Sequence, residues 1–337
     1  PPALYMGYSG FTIQFAFALA SLIGLYPGEK WIHITRKWTM IAWCFQTLGV
    51  LLGAHWAYAV LGWGGYWGWD PVENASLLPW LTGTAFLHSV MMQEKRGMMK
   101  VWNVWLVFTT FLLCILGTFL TRSGIVSSVH AFAQSSIGPW FVGFLAVTIA
   151  VCLWAYLKNR DYLRSDNQLD AIVSRESSFL FNNLILLVAC VAVLSGTLFP
   201  VFSEWITGDK ISVGPPFFNR VNIPIGLFLL FLTGVGPLLA WRRTSLESLR
   251  RNFGWPALGG LVVGVIAWPL GFNNFYACLS LILSVFVFFT ILSEFLRGAF
   301  VIRARTSANL LSSVAQLTMR NTRRYGGYVV HLGMVLI

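Results

Sequence analysis

The sequence predicts an all-α fold, a polytopic transmembrane helical bundle of about ten spans, and three observations support this prediction. Hydrophobic residues form 57% of the 337-residue chain, charged residues form 10%, and the mean hydropathy is +0.70. Apolar runs of the roughly 20 residues that a bilayer crossing requires recur along the whole chain. Their connections are too short for a separate soluble domain, so we expect one integral membrane domain over residues 1–337.

The predicted spans follow the apolar runs. In chain order they are 3–25, 39–61, 75–92, 101–121, 139–157, 179–200, 223–241, 255–271, 274–296 and a last one from 326. The chain starts with Pro1 rather than Met, and Ile337 falls inside the last run. We therefore expect a fragment of a longer protein, cut at both ends.

The net charge of +11 is distributed unevenly between the connections. Basic residues concentrate at 26–38, 93–100, 242–252 and 297–325; few occur at 62–74, 122–138, 201–222 and 272–273, and 158–178 is balanced. The positive-inside rule places the first set in the cytoplasm and the second on the other side. Because the basic excess is a topology signal, we expect no nucleic-acid partner, whereas contact with membrane lipid stays open.

The five cysteines all lie in apolar runs, without a C-x-x-C pair: Cys44, Cys114, Cys152, Cys190 and Cys278. This pattern favours neither a disulfide framework, nor a thiolate metal site, nor covalent cofactor attachment. We expect small core residues.

A Trp-rich stretch, GWGGYWGWDPVENASLLPW (62–80), lies on the outer side of this topology. Asp70 and Glu73 can form a capping box around Pro71, which suits the first position of a helix. Trp63, Trp67 and Trp69 alternate with glycines just before that helix. An aromatic belt at the membrane interface explains one or two tryptophans. Three tryptophans directly before a capping box instead favour an aromatic surface that binds a planar hydrophobic ligand, as a shelf.

Two of the five histidines, His88 and His331, lie inside predicted spans, where an ionisable side chain is costly and indicates function. Each is about 10 Å from the cytoplasmic end of its span at 1.5 Å per residue. Two histidines at one depth can be the axial pair of a buried haem. Two unrelated core histidines explain the spacing equally well. His33 and His55 are interpreted as a solvated and a core histidine, respectively.

The stretch WGGYWGWDPVENAS (63–76) resembles the "WWD" signature of haem-handling membrane proteins of cytochrome c biogenesis. Other segments narrow the resemblance to the CcmF family: GTFLTRSGIVSSVHAFA (117–133), SRESSFLFNNLILL (174–187), SGTLFP (195–200) and RRYGGYVVHLG (323–333). The likeness covers nearly the whole chain. It implies a haem lyase component in the bacterial cytoplasmic (inner) membrane, or an organellar inner membrane, with its haem-handling face outside the cytoplasm.

The resemblance implies two haem sites. His88 and His331 match the intramembrane ligands of a buried haem b, which would act as reductant with electrons drawn from quinol. A second, transient haem would bind outside, with His130 as an iron ligand. The residues expected around it are Trp63, Gly64, Gly65, Trp67, Trp69, Asp70, Glu73, Asn74, Arg122 and His130. The family's second external ligand, a His directly before the Pro-Pro, is not part of this sequence.

The implied partners are a haem chaperone of the CcmE type, apocytochrome-presenting subunits of the CcmH/CcmI type, and apocytochrome c. The implied reaction joins haem to apocytochrome cysteines by thioether bonds, and no residue stands out as a general acid or base. Three alternatives stay open: a haem exporter or delivery protein without lyase activity, a b-type quinol oxidoreductase, and a solute transporter. The last fits worst, because no paired repeats are visible.

Overall fold

A computed structural model describes residues 1–26, 29–62, 65–126, 128, 136–306 and 309–336. The regular secondary structure within these ranges is entirely helical. The α-helices in chain order are α1 (Pro2–Gly24), α2 (Lys30–Val60), α3 (Pro71–Arg96), α4 (Lys100–Ser123), α5 (Gly138–Asn159), α6 (Arg175–Thr207), α7 (Pro215–Val235), α8 (Leu246–Ala267), α9 (Phe275–Thr306), α10 (Leu310–Arg320) and α11 (Thr322–Leu336). Short 3₁₀ turns at Arg160–Leu163 and Gly236–Leu238 extend α5 and α7.

The helices make the chain a multi-pass membrane protein, which confirms the predicted fold class. In the described part of the chain, 7 helices are long and apolar enough to cross a bilayer: α1, α2, α4, α5, α6, α7 and α9. The other predicted spans correspond to α3, α8 and the 15-residue α11. Helix α3 is less apolar because it carries polar side chains such as Ser76, Thr82 and Ser89. These side chains are buried in the protein.

The helix boundaries differ from the predicted spans where amphipathic turns continue an apolar run. Helix α2 starts at Lys30 rather than at 39, because its first turn buries Trp31 and Ile32 and continues the helix beyond the apolar run. Helix α9 continues to Thr306 through a basic last turn. The predicted connection 297–325 also contains α10, which the search for long apolar runs missed.

The chain divides into two compact units. The first comprises Pro1–Gln168 and Leu180–Asn222, and the second comprises Leu169–Phe179 and Ile223–Ile337. The expectation of one domain over the whole chain stays a prediction.

In the first unit, α1 and α2 pack with their backbones in close approach. A Cβ added to Gly49 would lie 2.7 Å from the Cα of Leu4, and one added to Gly7 would lie 2.7 Å from the backbone nitrogen of Gln46. Small residues at such crossings are typical of helix pairs in membranes. The Gln46 side chain, which is fully buried, donates to the Ser76 carbonyl at 2.7 Å and so joins α2 to α3.

Helices α3 and α4 of the same unit are joined by buried polar side chains. The Thr110 hydroxyl donates to the Thr82 hydroxyl at 2.8 Å, and the Asn103 amide donates to the Gln93 side chain at 2.8 Å. Ser89 also donates to Asn103. Such interhelical bonds satisfy polar groups that lipid cannot.

In the second unit, α9 is the helix against which the others pack. Gly260 and Gly264 bring α8 close to it, since a Cβ at Gly260 would lie 2.6 Å from the Ile282 carbonyl oxygen. On another side, Phe286 and Val287 of α9 form a core with Tyr325 and Tyr328 of α11.

The predicted role of the cysteines is confirmed for four of them. Cys114, Cys152, Cys190 and Cys278 are buried, and all five are free thiols. The prediction is wrong for Cys44, which is exposed on α2. An apolar run gives no indication of which of its positions face the bundle, so the two cases could not be separated from the sequence.

Candidate functional site

The predicted capping box at the start of α3 is confirmed. The Asp70 carboxylate accepts from the Val72 backbone N–H at 3.0 Å, and Glu73 Oε2 accepts from the Asp70 N–H at 3.1 Å. The same Glu73 oxygen also accepts from the Gly68 N–H at 2.9 Å. The glutamate therefore fixes two points of the Trp-rich segment to the helix, rather than the single point that a capping box requires.

Trp69 is held in an uncommon backbone conformation by contacts on several sides. Its φ of 56° lies in the left-handed region, which costs a non-glycine residue roughly 1–2 kcal/mol. Its ring stacks on Phe218 at 5.0 Å and 10°, and its Nε1 donates to Asn219 Oδ1 at 2.8 Å. These contacts offset the backbone cost and fix the orientation of the indole.

Trp67 lies perpendicular to Trp69, with the ring centroids 6.1 Å apart and the planes at 87°. The two rings therefore do not form one flat shelf, and a planar molecule can lie parallel to only one of them. The buried Nε1 of Trp67 has no hydrogen-bond partner among the residues that the structure describes. Two positions before Trp67 in the sequence, Gly65 has open space where a side chain would be.

The remaining predicted residues of this site are placed unequally. Asn74 is fully buried and bonds both the Trp69 carbonyl at 3.1 Å and the Thr197 hydroxyl at 3.0 Å, so its role is to hold the segment in place. Arg122 is exposed in the last turn of α4. Trp63, Gly64 and His130 lie outside the described residues.

Four residues that the sequence interpretation missed contact this segment. Phe218 and Asn219 hold Trp69, and Thr197 holds Asn74. Ser128, two positions before His130 in the sequence, donates to Asp70 Oδ1 at 2.5 Å. Ser128 is thus anchored to the first turn of α3. These contacts join residues distant in sequence, so the local pattern contained no signal for them.

His88 lies half-buried on α3, one turn after Thr84. Its Nδ1 lies 2.8 Å from the Thr84 carbonyl oxygen. Because a carbonyl can only accept, Nδ1 carries the proton and the neutral ring has its lone pair on Nε2. Iron-binding histidines have this arrangement, in which the second ring nitrogen donates to a carbonyl or carboxylate. The donor set at His88 therefore fits an axial ligand of haem.

The turn that carries Thr84 is fixed to α2 by two matching hydrogen bonds. Trp43 Nε1 donates to Thr84 Oγ1 at 2.9 Å, and Trp80 Nε1 donates to Thr47 Oγ1 at 2.9 Å. Each threonine lies four residues after the tryptophan of its own helix and donates back to that tryptophan's carbonyl. The two indoles are stacked at 6.2 Å and 24°.

His331 is half-buried on α11 in the second unit. Nearer the start of α11, the Tyr328 hydroxyl (one turn before His331) and Arg324 (two turns before it) both contact Glu294, which is buried on α9. Arg297 lies 3.5 Å from the same carboxylate. A buried carboxylate between two guanidinium groups is paired and hydrogen-bonded, which limits the cost of its burial.

The other histidines stay outside these arrangements. His33 is exposed, with its Nδ1 3.9 Å from Glu94, which agrees with its interpretation as a solvated residue. His55 is exposed on α2, so its interpretation as a core histidine is wrong. No group of three or more potential metal ligands occurs among the described residues.

Comparison with known proteins matches residues 1–126 to a family profile described as cytochrome C assembly protein. CycK of Bradyrhizobium diazoefficiens, a cytochrome c-type biogenesis protein, is 46% identical over 269 residues, 80% of this chain and 41% of that protein. CcmF of Escherichia coli is 45% identical over 251 residues, 74% of this chain and 39% of that protein. A solved structure, "Cytochrome c Heme Lyase CcmF", superposes over 100% of this chain with a TM-score of 0.75 and 33% identity.

The chain belongs to the CcmF family of cytochrome c biogenesis proteins. This confirms the family that the sequence motifs indicated. The CcmF-type chain spans about two fifths of the length of these curated relatives, and 49% of the solved structure. The residues of this chain that the family profile matches, 1–126, include both the Trp-rich segment with Asp70 and His88.

Proposed function

We propose that the chain is the haem-handling part of a cytochrome c haem lyase in the bacterial cytoplasmic (inner) membrane. Its substrate haem arrives outside the cytoplasm on a chaperone of the CcmE type. The haem is then joined to the cysteines of an apocytochrome presented by CcmH/CcmI-type subunits. Family membership and the rigid Trp67–Trp69 segment support this proposal, which extends to a protein longer than this chain.

The observation that carries the proposal is the way in which Trp69 is fixed. The backbone of Trp69 is in the left-handed region, and its indole stacks on Phe218 and donates to Asn219. The ring is therefore oriented before any ligand arrives. Trp67 presents its ring at right angles to that of Trp69, and Gly65, two positions before Trp67 in the sequence, carries no side chain that would take up space. A preorganised aromatic corner can receive the face or the edge of a haem with little loss of side-chain entropy. Arg122 would pair with a propionate, and His130 would bind the iron.

In the reaction, the role of the protein is to orient the haem substrate and to control its access to the site. Thioether formation adds the S–H of an apocytochrome cysteine across a haem vinyl C=C, so the bond chemistry belongs to haem and thiol. Asp70, Glu73 and Asn74 hold the aromatic corner in place. No described residue is assigned as a general acid or base.

The second element of the proposal is a resident haem b with His88 and His331 as axial ligands. The proton on Nδ1 of His88, held by the Thr84 carbonyl, leaves Nε2 as the ligating nitrogen. When bound, this haem would supply a one-electron redox couple, reduced by quinol, that keeps the substrate iron reduced. His88 and His331 would bind and orient the group within the membrane.

The experiment is a visible spectrum with pyridine haemochrome quantitation of the purified full-length protein. We expect a low-spin b-type spectrum that is lost in His88→Ala and in His331→Ala. The matched control is His55→Ala, which removes an exposed histidine on α2. A protein that binds haem only when the chaperone is co-expressed, whatever residue occupies 88 or 331, contradicts the resident haem.

A second measurement separates lyase from exporter. Trp69→Ala should abolish holocytochrome c while haem still accumulates on the chaperone, because the exporter step does not need this corner. If haem also disappears from the chaperone, the protein delivers haem rather than attaching it.

A further inference from the structure

Helix α10 (Leu310–Arg320) carries an apolar stripe that the rest of the second unit leaves exposed. Leu311 is 82% exposed and Met319 is 79% exposed, and Ala315 between them is exposed as well. These residues lie at positions i, i+4 and i+8, which is one face of a helix. The stripe is therefore continuous along the whole length of α10.

A polar stripe runs beside it, one residue further along the chain. Ser312, Gln316 and Arg320 also follow at i, i+4 and i+8. Polar and apolar residues thus divide the helix lengthwise, which is the pattern of helices that lie in the plane of a membrane surface. At 1.5 Å per residue the 11 residues of α10 span only about 16 Å, too short to cross a bilayer.

The opposite side of α10 is fixed to α9, so the exposed stripe has a defined direction. Leu317 packs with the core of Phe286, Ile291 and Tyr325. The contact is close: a Cβ added to Gly298 would lie 2.6 Å from Leu317 Cδ2. Asn309 caps the helix and accepts from the Ser312 N–H at 2.8 Å. Helix α10 is thus a built element with its apolar stripe turned away from the protein core.

The part of the sequence that includes α10 carries charges of one sign only. The sequence from Phe295 to Ile337 contains six arginines and no aspartate or glutamate. Three of these arginines (Arg303, Arg305 and Arg320) are exposed and have no ion pair within the described part of the chain. An exposed apolar stripe flanked by uncompensated arginines complements an anionic lipid surface, whose headgroups are negative and whose acyl region is apolar.

We propose that α10 is an interfacial anchor for anionic phospholipid. Leu311, Ala315 and Met319 enter the boundary between headgroups and acyl chains, and Arg303, Arg305 and Arg320 bind lipid phosphate. The positive-inside rule assigns this end of the second unit to the cytoplasmic leaflet. Because α10 joins the end of α9 to the start of α11, the lipid contact steadies the helix that carries His331.

The first test measures the depth of α10 in the bilayer. Nitroxide labels are placed on single cysteines at 311, 315 and 319, and at 312 and 316 as matched controls, in full-length protein without Cys44 in vesicles containing phosphatidylglycerol. We expect the first three labels to collide with oxygen more than with a water-soluble nickel chelate, and the controls to show the reverse. Equal behaviour of both stripes overturns the proposal. So does shielding of Leu311→Cys and Met319→Cys from both reagents, which would mean that protein covers this face.

The second test addresses the charge. Native mass spectrometry of the full-length protein counts retained phosphatidylglycerol relative to phosphatidylcholine. We expect the variant Arg303→Gln/Arg305→Gln to lose at least about fivefold in this preference. The matched control is Arg160→Gln/Arg164→Gln, which removes two exposed charges from another connection and should retain it. An equal loss in both variants, or in neither, overturns the assignment of anionic lipid to α10.

Discussion

His88 and Thr84 are joined through the backbone: the imidazole Nδ1 donates to the Thr84 carbonyl at 2.8 Å. The hydroxyl of the same threonine donates to the Trp80 carbonyl and accepts from the indole of Trp43 on α2. The turn that fixes the tautomer of His88 is thus itself fixed to a neighbouring helix. The arrangement predicts that a substitution at Thr84 changes the orientation of the His88 imidazole.

We expect Thr84→Val to change the haem ligation geometry at His88, and Thr47→Val to leave it unchanged. Each variant leaves one indole N–H unsatisfied, Trp43 or Trp80, at a matched cost of about 1–3 kcal/mol in stability. Only Thr84 lies in the turn that contacts His88. The measurement is the low-spin EPR spectrum and midpoint potential of the purified protein with thermal unfolding in parallel. Equal spectra in both variants would show that the threonine pair is structural only.

Glu73 is expected to stabilise the Trp-rich segment through both of its backbone contacts. Glu73→Ala removes the acceptor of the Gly68 and Asp70 N–H groups and should lower the free energy of unfolding by about 1–2 kcal/mol. Glu73→Gln retains one acceptor oxygen and should lose less. Thermal unfolding of the full-length protein, combined with haem transfer from the chaperone, checks the order. Indistinguishable variants would contradict a stabilising role for these backbone contacts.

The features set by neighbouring residues were predictable from the sequence, and those set by distant residues were not. Asp70, Pro71 and Glu73 form their capping box within a few positions, so the pattern alone predicted it. The Trp69 contact with Asn219 joins residues 150 positions apart, and no local pattern encodes it. Helix α10 was missed because its short, half-polar sequence does not form an apolar run. The perpendicular arrangement of Trp67 and Trp69 depends on side-chain packing, which composition does not specify.

Gly49 and Gly53 lie one turn apart on α2 and should respond oppositely to alanine. A Cβ at position 49 would lie 2.7 Å from the backbone of Leu4, so α1 has to move away. We expect Gly49→Ala to cost roughly 1–3 kcal/mol, as overpacking does. Gly53 has no atom within 4 Å of that position, so Gly53→Ala should be neutral or stabilising because alanine favours helix. Thermal unfolding in detergent measures both, and a lower midpoint for Gly53→Ala would contradict this explanation.

Glu294 and Arg324 should be energetically coupled, since Arg324 donates to the buried carboxylate. A double-mutant cycle of Glu294→Gln and Arg324→Gln should give a coupling energy of about 1–3 kcal/mol. The control cycle pairs Glu294→Gln with Arg303→Gln, an exposed arginine further along α9, and should be additive. The free energies come from thermal unfolding of the four proteins in each cycle. Additivity in the first cycle would show that the ion pair is too well solvated to stabilise α11.

The indole N–H of Trp69 donates a hydrogen bond to Asn219, whereas that of Trp67 has no partner among the described residues. Substitutions at the two positions should therefore affect stability and haem binding differently. Trp69→Phe loses the bond to Asn219 Oδ1 but can keep the stacking on Phe218, so we expect a stability loss of about 1 kcal/mol. Trp67→Phe removes a buried N–H without a partner among the described residues and should not lower the unfolding midpoint. We nevertheless expect it to reduce haem transfer from the chaperone, because the phenyl ring has no N–H and is smaller than the indole that forms one side of the aromatic corner.

The measurement pairs differential scanning fluorimetry with a haem-transfer assay on each variant of the full-length protein. A Trp67→Phe protein with an unchanged midpoint and reduced transfer would assign this ring to haem. Unchanged transfer would exclude the Trp67 indole N–H from the haem site, and Trp69 would remain as the platform. A large loss of stability in Trp67→Phe would instead mean that its indole packs against the protein, since no hydrogen bond within the described chain is available to explain the loss.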